Sequence, residues 1–265
     1  MNVNAVAEPS EGPTKARTST ASEGEMGYWT TELDGPVATL TFDRRPDNQL
    51  RFADLRELER LLSAIGSNSD VSVVVLQSSC PGYFLGHADL EEIERLRRGE
   101  PGDETGDTLA RWMSTTACIE SLPQPIVAAI DGQAWGGGCE SALACTFRIG
   151  TPATHFSQME ILRGAMPGAG ATQRLPRIIG SSRAAHMLMT GRKVEADEAL
   201  RIGLLDAVIT EPDFGHGVRR WVSEIAHQPR ASLVGIKKAM YDGLRLPVDD
   251  AYRNEQRLFN EVLER

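Results

Sequence analysis

Apolar residues recur with two different periods along this chain, and the changes between them mark out its elements. Gly27 to Leu33 and Pro36 to Phe42 read as two strands, with Asp34-Gly35 as the hairpin turn between them. From Phe52 to Ile65, Leu55, Leu58, Leu61 and Leu62 fall on one face of an amphipathic helix. Val71 to Gln77 is an apolar run of the kind buried under helices. A loop and a helix follow it, and the acidic, glycine-containing segment Gly99 to Asp107 is expected to be mobile. Thr108 to Ser121 is helical again and leads into Pro125 to Asp131, short and β-branched enough to be a buried strand. After Gly180 the pattern is almost entirely helical, apart from a short strand at Asp206 to Thr210. Pro229 separates two of the last helices and Pro247 starts the final one. Strands and helices in this order predict an α/β fold.

Composition adds a tail to this domain and removes several function classes. The first 26 residues are rich in Ser, Thr, Glu, Gly and Pro, so they read as a disordered tail. They hold no apolar stretch suited to a secretory signal. No apolar run approaches the ~18 residues that a membrane span needs. A net charge of −9 argues against nucleic acid as the main partner, because phosphate binding wants a basic surface. Cys80, Cys118, Cys139 and Cys145 lack paired metal spacing, and His155, His186, His216 and His227 are scattered, so no metal site is expected. Without a disulfide framework or a signal, the cytoplasm is the simplest compartment.

The chemistry concentrates around Ala134-Trp-Gly-Gly-Gly-Cys-Glu140, which reads as a strand end, a tight glycine turn and a helix beginning at an acid. Gly136, Gly137 and Gly138 let bare backbone approach a ligand and supply the first, unpaired N–H groups of that helix. Such donors in a dry site can hold an oxygen that becomes negative during a reaction. Close packing of helix on strand would explain the glycines equally well, and Glu140 could simply answer the helix dipole. A second acid, Glu160, precedes another glycine turn, Pro167-Gly-Ala-Gly170. Two carboxylates beside an anion-ready turn suggest proton transfer next to a carbonyl.

The chain resembles the crotonase superfamily, the enoyl-CoA hydratases and isomerases, from about Tyr28 to Glu264. The resemblance rests on Pro125 to Glu140, on Phe156 to Gly164 with Pro167 to Leu175, and on Ala185 to Gly191 followed by Glu195 to Leu205. It implies a spiral of ββα turns over residues 27–180, with a helical oligomerisation region over 181–265 and the tail before them. It also implies an oxyanion hole formed by the Ala88 and Gly137 N–H groups, with Glu140 and Glu160 as the catalytic acids. Leu85, His87, Asp89, Leu90, Gly136 and Gly168 are the implied substrate contacts. The implied substrate is an α,β-unsaturated acyl thioester on CoA or a carrier protein, hydrated or dehydrated with no cofactor beyond the coenzyme A it carries. Isomerisation, retro-aldol cleavage and a non-catalytic scaffold remain alternatives, although keeping both acids favours hydration. Homotrimers or hexamers are the implied assembly.

Two features depart from the family pattern. In Gly82-Tyr-Phe-Leu-Gly-His-Ala-Asp-Leu90, His87 stands where relatives usually have glycine, with the glycine one place earlier at Gly86. A positive φ there would strain a histidine, and otherwise its ring could enter the pocket. The chain also ends at Asn260-Glu-Val-Leu-Glu-Arg265, where relatives commonly carry a further helix, and of Lys237 and Lys238 only one can face a given site.

Overall fold

The computed structural model describes residues 27–100 and 110–264. The expected tail at residues 1–26 and most of the expected mobile segment lie outside the described residues. Strands β1 (Trp29–Asp34) and β2 (Val37–Phe42) form the anticipated hairpin, and helix α1 (Phe52–Gly66) buries Leu55, Leu58, Leu62 and Ile65. Each of these side chains contributes on the order of 1.5–3 kcal/mol by leaving water. Strand β3 (Val73–Ser78), helices α2 (Leu90–Arg97) and α3 (Ala110–Ser121) and strand β4 (Ile126–Ile130) follow.

Strand β3 shows why its sequence does not alternate. Val74 and Leu76 enter the main core with Leu40 and Ala128, while Val73 and Val75 join Val127 and Ile149 on the opposite face. That second face is covered by Val218, Val222 and Ala226 of a later helix, α8 (Phe214–Ala226). A strand roofed on both faces needs apolar residues at every position.

From β4 onward the chain repeats one motion at two levels. It passes through β5 (Gln133–Trp135) and α4 (Gly137–Ala144), then β6 (Phe147–Gly150) and β7 (His155–Ser157). Strand β6 pairs in parallel with β4, and β7 pairs in parallel with β5. Two sheets therefore grow side by side as the backbone climbs, which is the expected ββα spiral. One has six strands in the order β1-β2-β3-β4-β6-β9, ending at Ala207–Val208 (β9); the other is β5-β7-β8, ending at Val194–Glu195 (β8). Tyr83 extends the second sheet by bridging Gln133, with Phe84 N–H donating to Gln133 O at 2.9 Å. Gly82–Phe84, β5 and β7 are thus three stacked rungs.

A short 3₁₀ turn (Glu160–Arg163) precedes the helices α5 (Ala171–Ile179) and α6 (Ser181–Thr190). Beyond them lie β8 (Val194–Glu195), α7 (Ala196–Ile202) and β9 (Ala207–Val208), the last where the short strand was expected. The final helices are α8 (Phe214–Ala226), α9 (Arg230–Gly243) and α10 (Val248–Leu263), with Pro229 and Pro247 as their boundaries. No helix among the described residues is long and apolar enough to cross a membrane.

The displaced glycine has a local reason. A Cβ at Gly86 would lie 2.5 Å from the Asn48 carbonyl oxygen, which accepts the Gly86 N–H at 2.8 Å. His87 is not among the positive-φ residues, so no backbone strain attaches to it. Gly86→Ala is therefore expected to lower the melting temperature by several degrees, since overpacking costs about 1–3 kcal/mol, whereas His87→Ala is expected to change it little. Thermal unfolding of the two variants, followed by circular dichroism, checks this ordering.

Candidate active site

Each rung of the second sheet delivers one part of a single site. After Phe84 the chain reaches Ala88; after Trp135 it reaches Gly137 and Glu140; after Ser157 it reaches Glu160. These residues line one cavity of about 560 Å³, together with His87, Leu90, Gly136 and Gly168. Its walls also include Trp112, Met159, Met166 and Ala169, so most of the surface around the polar groups is apolar.

The Ala88 amide is aimed by a parallel bridge. Leu50 donates its N–H to His87 O at 3.1 Å and accepts the Asp89 N–H at 2.9 Å, which turns the Ala88 N–H to the opposite side. Gly137 is the first residue of α4, where an amide has no partner within the helix. Neither N–H has a hydrogen-bond partner among the described residues. Both readings of the glycines hold together here. A Cβ at Gly137 would strike the Trp112 ring at 2.2 Å, and one at Gly138 would lie 1.8 Å from Leu85 O. Close packing and free donors thus come from the same residues.

Glu140 is buried, and its Oε1 accepts the N–H groups of Ala169 at 2.7 Å and Ala171 at 3.0 Å. Burial pushes its carboxyl above the usual range, opposed by those two N–H groups and by the positive charge of Arg174. Glu160 is pushed up to about 7, chiefly by burial, with the charge of Glu140 adding to the rise and Arg163 opposing it. The fully buried Gln158 sits behind it and, with its amide nitrogen turned toward the carboxylate, donates to Oε1 and Oε2 at 3.0 Å each.

His87 faces the cavity, and its Nδ1 lies 2.7 Å from the Ala88 carbonyl oxygen. A carbonyl oxygen only accepts, so Nδ1 is the donor in that contact. Two expected substrate contacts serve the frame instead. Leu85 is fully buried in the main core, and Asp89 caps α2 by accepting the Glu91 and Glu92 N–H groups while pairing with Arg51 at 2.8 Å. Neither side chain lines the cavity. Lys237 is buried against Leu122 O and Gln124 O, and Lys238 pairs with Asp242, so neither reaches the site. Gln158, Trp112 and Arg174 escaped the sequence reading, since only tertiary placement gives them a role.

The family model for enoyl-CoA hydratase/isomerase matches residues 32–265. The chain belongs to this family. Among its relatives, the short-chain-enoyl-CoA hydratase of Clostridium acetobutylicum is 31% identical over 233 residues, covering 87% of each chain. The crotonyl-CoA hydratase of Syntrophomonas wolfei is 31% identical over 229 residues, 86% of each. The solved enoyl-CoA hydratase of Bacillus anthracis superimposes with a TM-score of 0.82 at 30% identity, covering 90% of this chain and 92% of that one. The resemblance to the crotonase superfamily and its fold is thereby borne out.

The raised carboxyl of Glu160 has a consequence for stability. Because it binds its proton more tightly folded than unfolded, its ionisation destabilises the fold as pH rises from about 4.5 through about 7. Glu160→Gln is expected to raise the melting temperature relative to wild type at pH 8, and the difference should shrink at pH 5. Equal differences at both pH values would contradict the assignment.

Proposed function

We propose that this protein is an enoyl-CoA hydratase-type lyase that adds water to, or removes it from, an α,β-unsaturated acyl thioester. The observation that carries this reading is the meeting, at one largely apolar cavity, of two amides without partners among the described residues, the buried Glu140 and the half-buried Glu160. The Ala88 and Gly137 N–H groups bind the thioester oxygen, which becomes enolate-like as the β carbon is attacked. Donors of this kind contribute roughly 10²–10³ in rate each. Glu140, held by two N–H donors that favour its ionised form, takes a proton from water as the oxygen bonds to the β carbon. Glu160, titrating near neutrality, delivers a proton to the α carbon as the enolate collapses. Each acid ends in the other's starting state, and the two exchange a proton to complete the cycle. The reverse sequence is dehydration.

Hydratases among the relatives support this reaction over isomerisation or chain cleavage on the same scaffold. Coenzyme A enters as part of the substrate, with a carrier protein as the other possible handle. Among the described residues no group of three or more His, Cys, Asp or Glu could hold a metal ion. For assembly we favour a homotrimer or a pair of trimers. Ile236 and Met240 on α9, Leu244 just past its end, and Phe259 and Leu263 on α10 are exposed, and a groove of about 480 Å³ runs between these helices. A second copy of the chain would cover that surface.

Incubation with crotonyl-CoA and a panel of longer enoyl thioesters, followed by product mass, tests the reaction: hydration adds one water. Glu140→Gln and Glu160→Gln should each lower kcat at least about a hundredfold, and the double variant should be little worse, because the two act as a unit in one addition. Wild-type turnover in either would refute the two-acid mechanism. Light scattering should give three or six times the mass of one chain; a fully active monomer would refute the assembly.

A further inference from the structure

Glu140 is held by a turn that is itself held from behind. The Ala169 N–H that donates to Glu140 belongs to a residue whose carbonyl accepts two bonds, from Thr116 Oγ1 and from Arg174 Nη1, each at 2.8 Å. Thr116 comes from α3 and Arg174 from α5, so two helices grip one residue of the Pro167–Gly170 turn. At Gly170 φ is 104°, and a Cβ there would lie 2.2 Å from Arg174 Nη1. The guanidinium thus occupies space that only a glycine leaves open.

Arg174 is anchored at its far side as well. Its Nη2 reaches Glu120 Oε2 at 3.3 Å and Thr116 O at 3.5 Å, and Glu120 Oε2 also accepts from Arg245 Nη2 at 2.9 Å. A largely buried guanidinium is costly unless paired and hydrogen-bonded, and these partners compensate Nη1 and Nη2, while Nε is buried with no partner among the described residues. Arg174 does not line the cavity. Its influence on a substrate therefore passes through Glu140, by way of the turn that holds the carboxylate and of a positive charge that favours its ionised form.

We propose that Arg174 is a positioning residue of the reaction, fixing the Ala169 peptide so that its N–H holds the Glu140 carboxylate in working orientation, with Thr116 supporting the same carbonyl. This rests on the reading of Glu140 as a catalytic group. A small misplacement of such a group can cost about a hundredfold in rate, so the expected losses are of that order or somewhat below.

The test uses the full chain with Arg174→Met, Arg174→Lys and Thr116→Val, first shown to be folded by circular dichroism. With crotonyl-CoA, Arg174→Met should lower kcat at least about tenfold with KM little changed, and Arg174→Lys and Thr116→Val should lose less. Added to Glu140→Gln, Arg174→Met should cost nothing further, because the group it positions is already gone. The Glu140 carboxyl, followed by isotope-edited infrared titration, should ionise at higher pH in Arg174→Met. A kcat loss that multiplies undiminished in the Glu140→Gln background, or an unmoved Glu140 titration in a folded variant, would overturn the proposal. If Arg174→Met fails to fold, Thr116→Val carries the same tests, and an unchanged kcat and Glu140 titration there would overturn it. Should the wild type turn over no enoyl thioester, the functional reading fails, while the infrared titration still decides the role of Arg174.

Discussion

Backbone packs directly on backbone at Gly138, where a Cβ would lie 1.8 Å from the Leu85 carbonyl oxygen, and the geometry of the whole site depends on that approach. The contact sets α4 against the segment Leu85–Ala88 without any side chain between them. Similar approaches recur at Gly86 over Asn48 and at Gly132 over Gly82. The rungs of the second sheet can therefore stack closely, and the residues that follow each rung emerge at one place. Two amides and two carboxylates from three distant stretches of sequence converge for this reason, rather than through direct bonds to one another.

Convergence has an energetic cost that the fold carries elsewhere. Two backbone N–H groups lack partners among the described residues, and loss of solvent around the buried Glu140 and the half-buried Glu160 raises both carboxyl pKa values. Each departure disfavours the folded state on its own. The surrounding frame offsets them through a β3 strand roofed on both faces, the Asp89 cap on α2 and the Leu-rich face of α1. Sites that keep groups unsatisfied in readiness for a reaction are commonly held by such over-determined surroundings.

Much of this was legible in the chain because the relevant signals are local. The hairpin at Asp34-Gly35, the helix from Phe52 and the buried β3 run depend on patterns within a few residues, and the structure places them within a residue or two of expectation. The glycine turn and both glutamates were visible as unusual residue types beside a strand and a helix. Strands β6 and β7 were not, being three or four residues long and defined by their stacking partners. That Leu85 packs in the core and Asp89 caps α2, outside the cavity lining, was not visible in the chain for a related reason, since both placements depend on distant partners. Arg174 and Gln158 look like ordinary polar residues in sequence, and only their burial behind the two acids gives them meaning.

The central claim is that Ala88 and Gly137 present two ready N–H donors to a thioester carbonyl. Infrared difference spectroscopy of crotonyl-CoA, ¹³C-labelled at the thioester carbonyl and bound to Glu160→Gln so that turnover is slow, addresses it most directly. The account predicts a carbonyl stretch shifted to clearly lower frequency than in free solution, as two hydrogen bonds polarise the bond. Bound substrate whose carbonyl stretch matches that of the free thioester would contradict it.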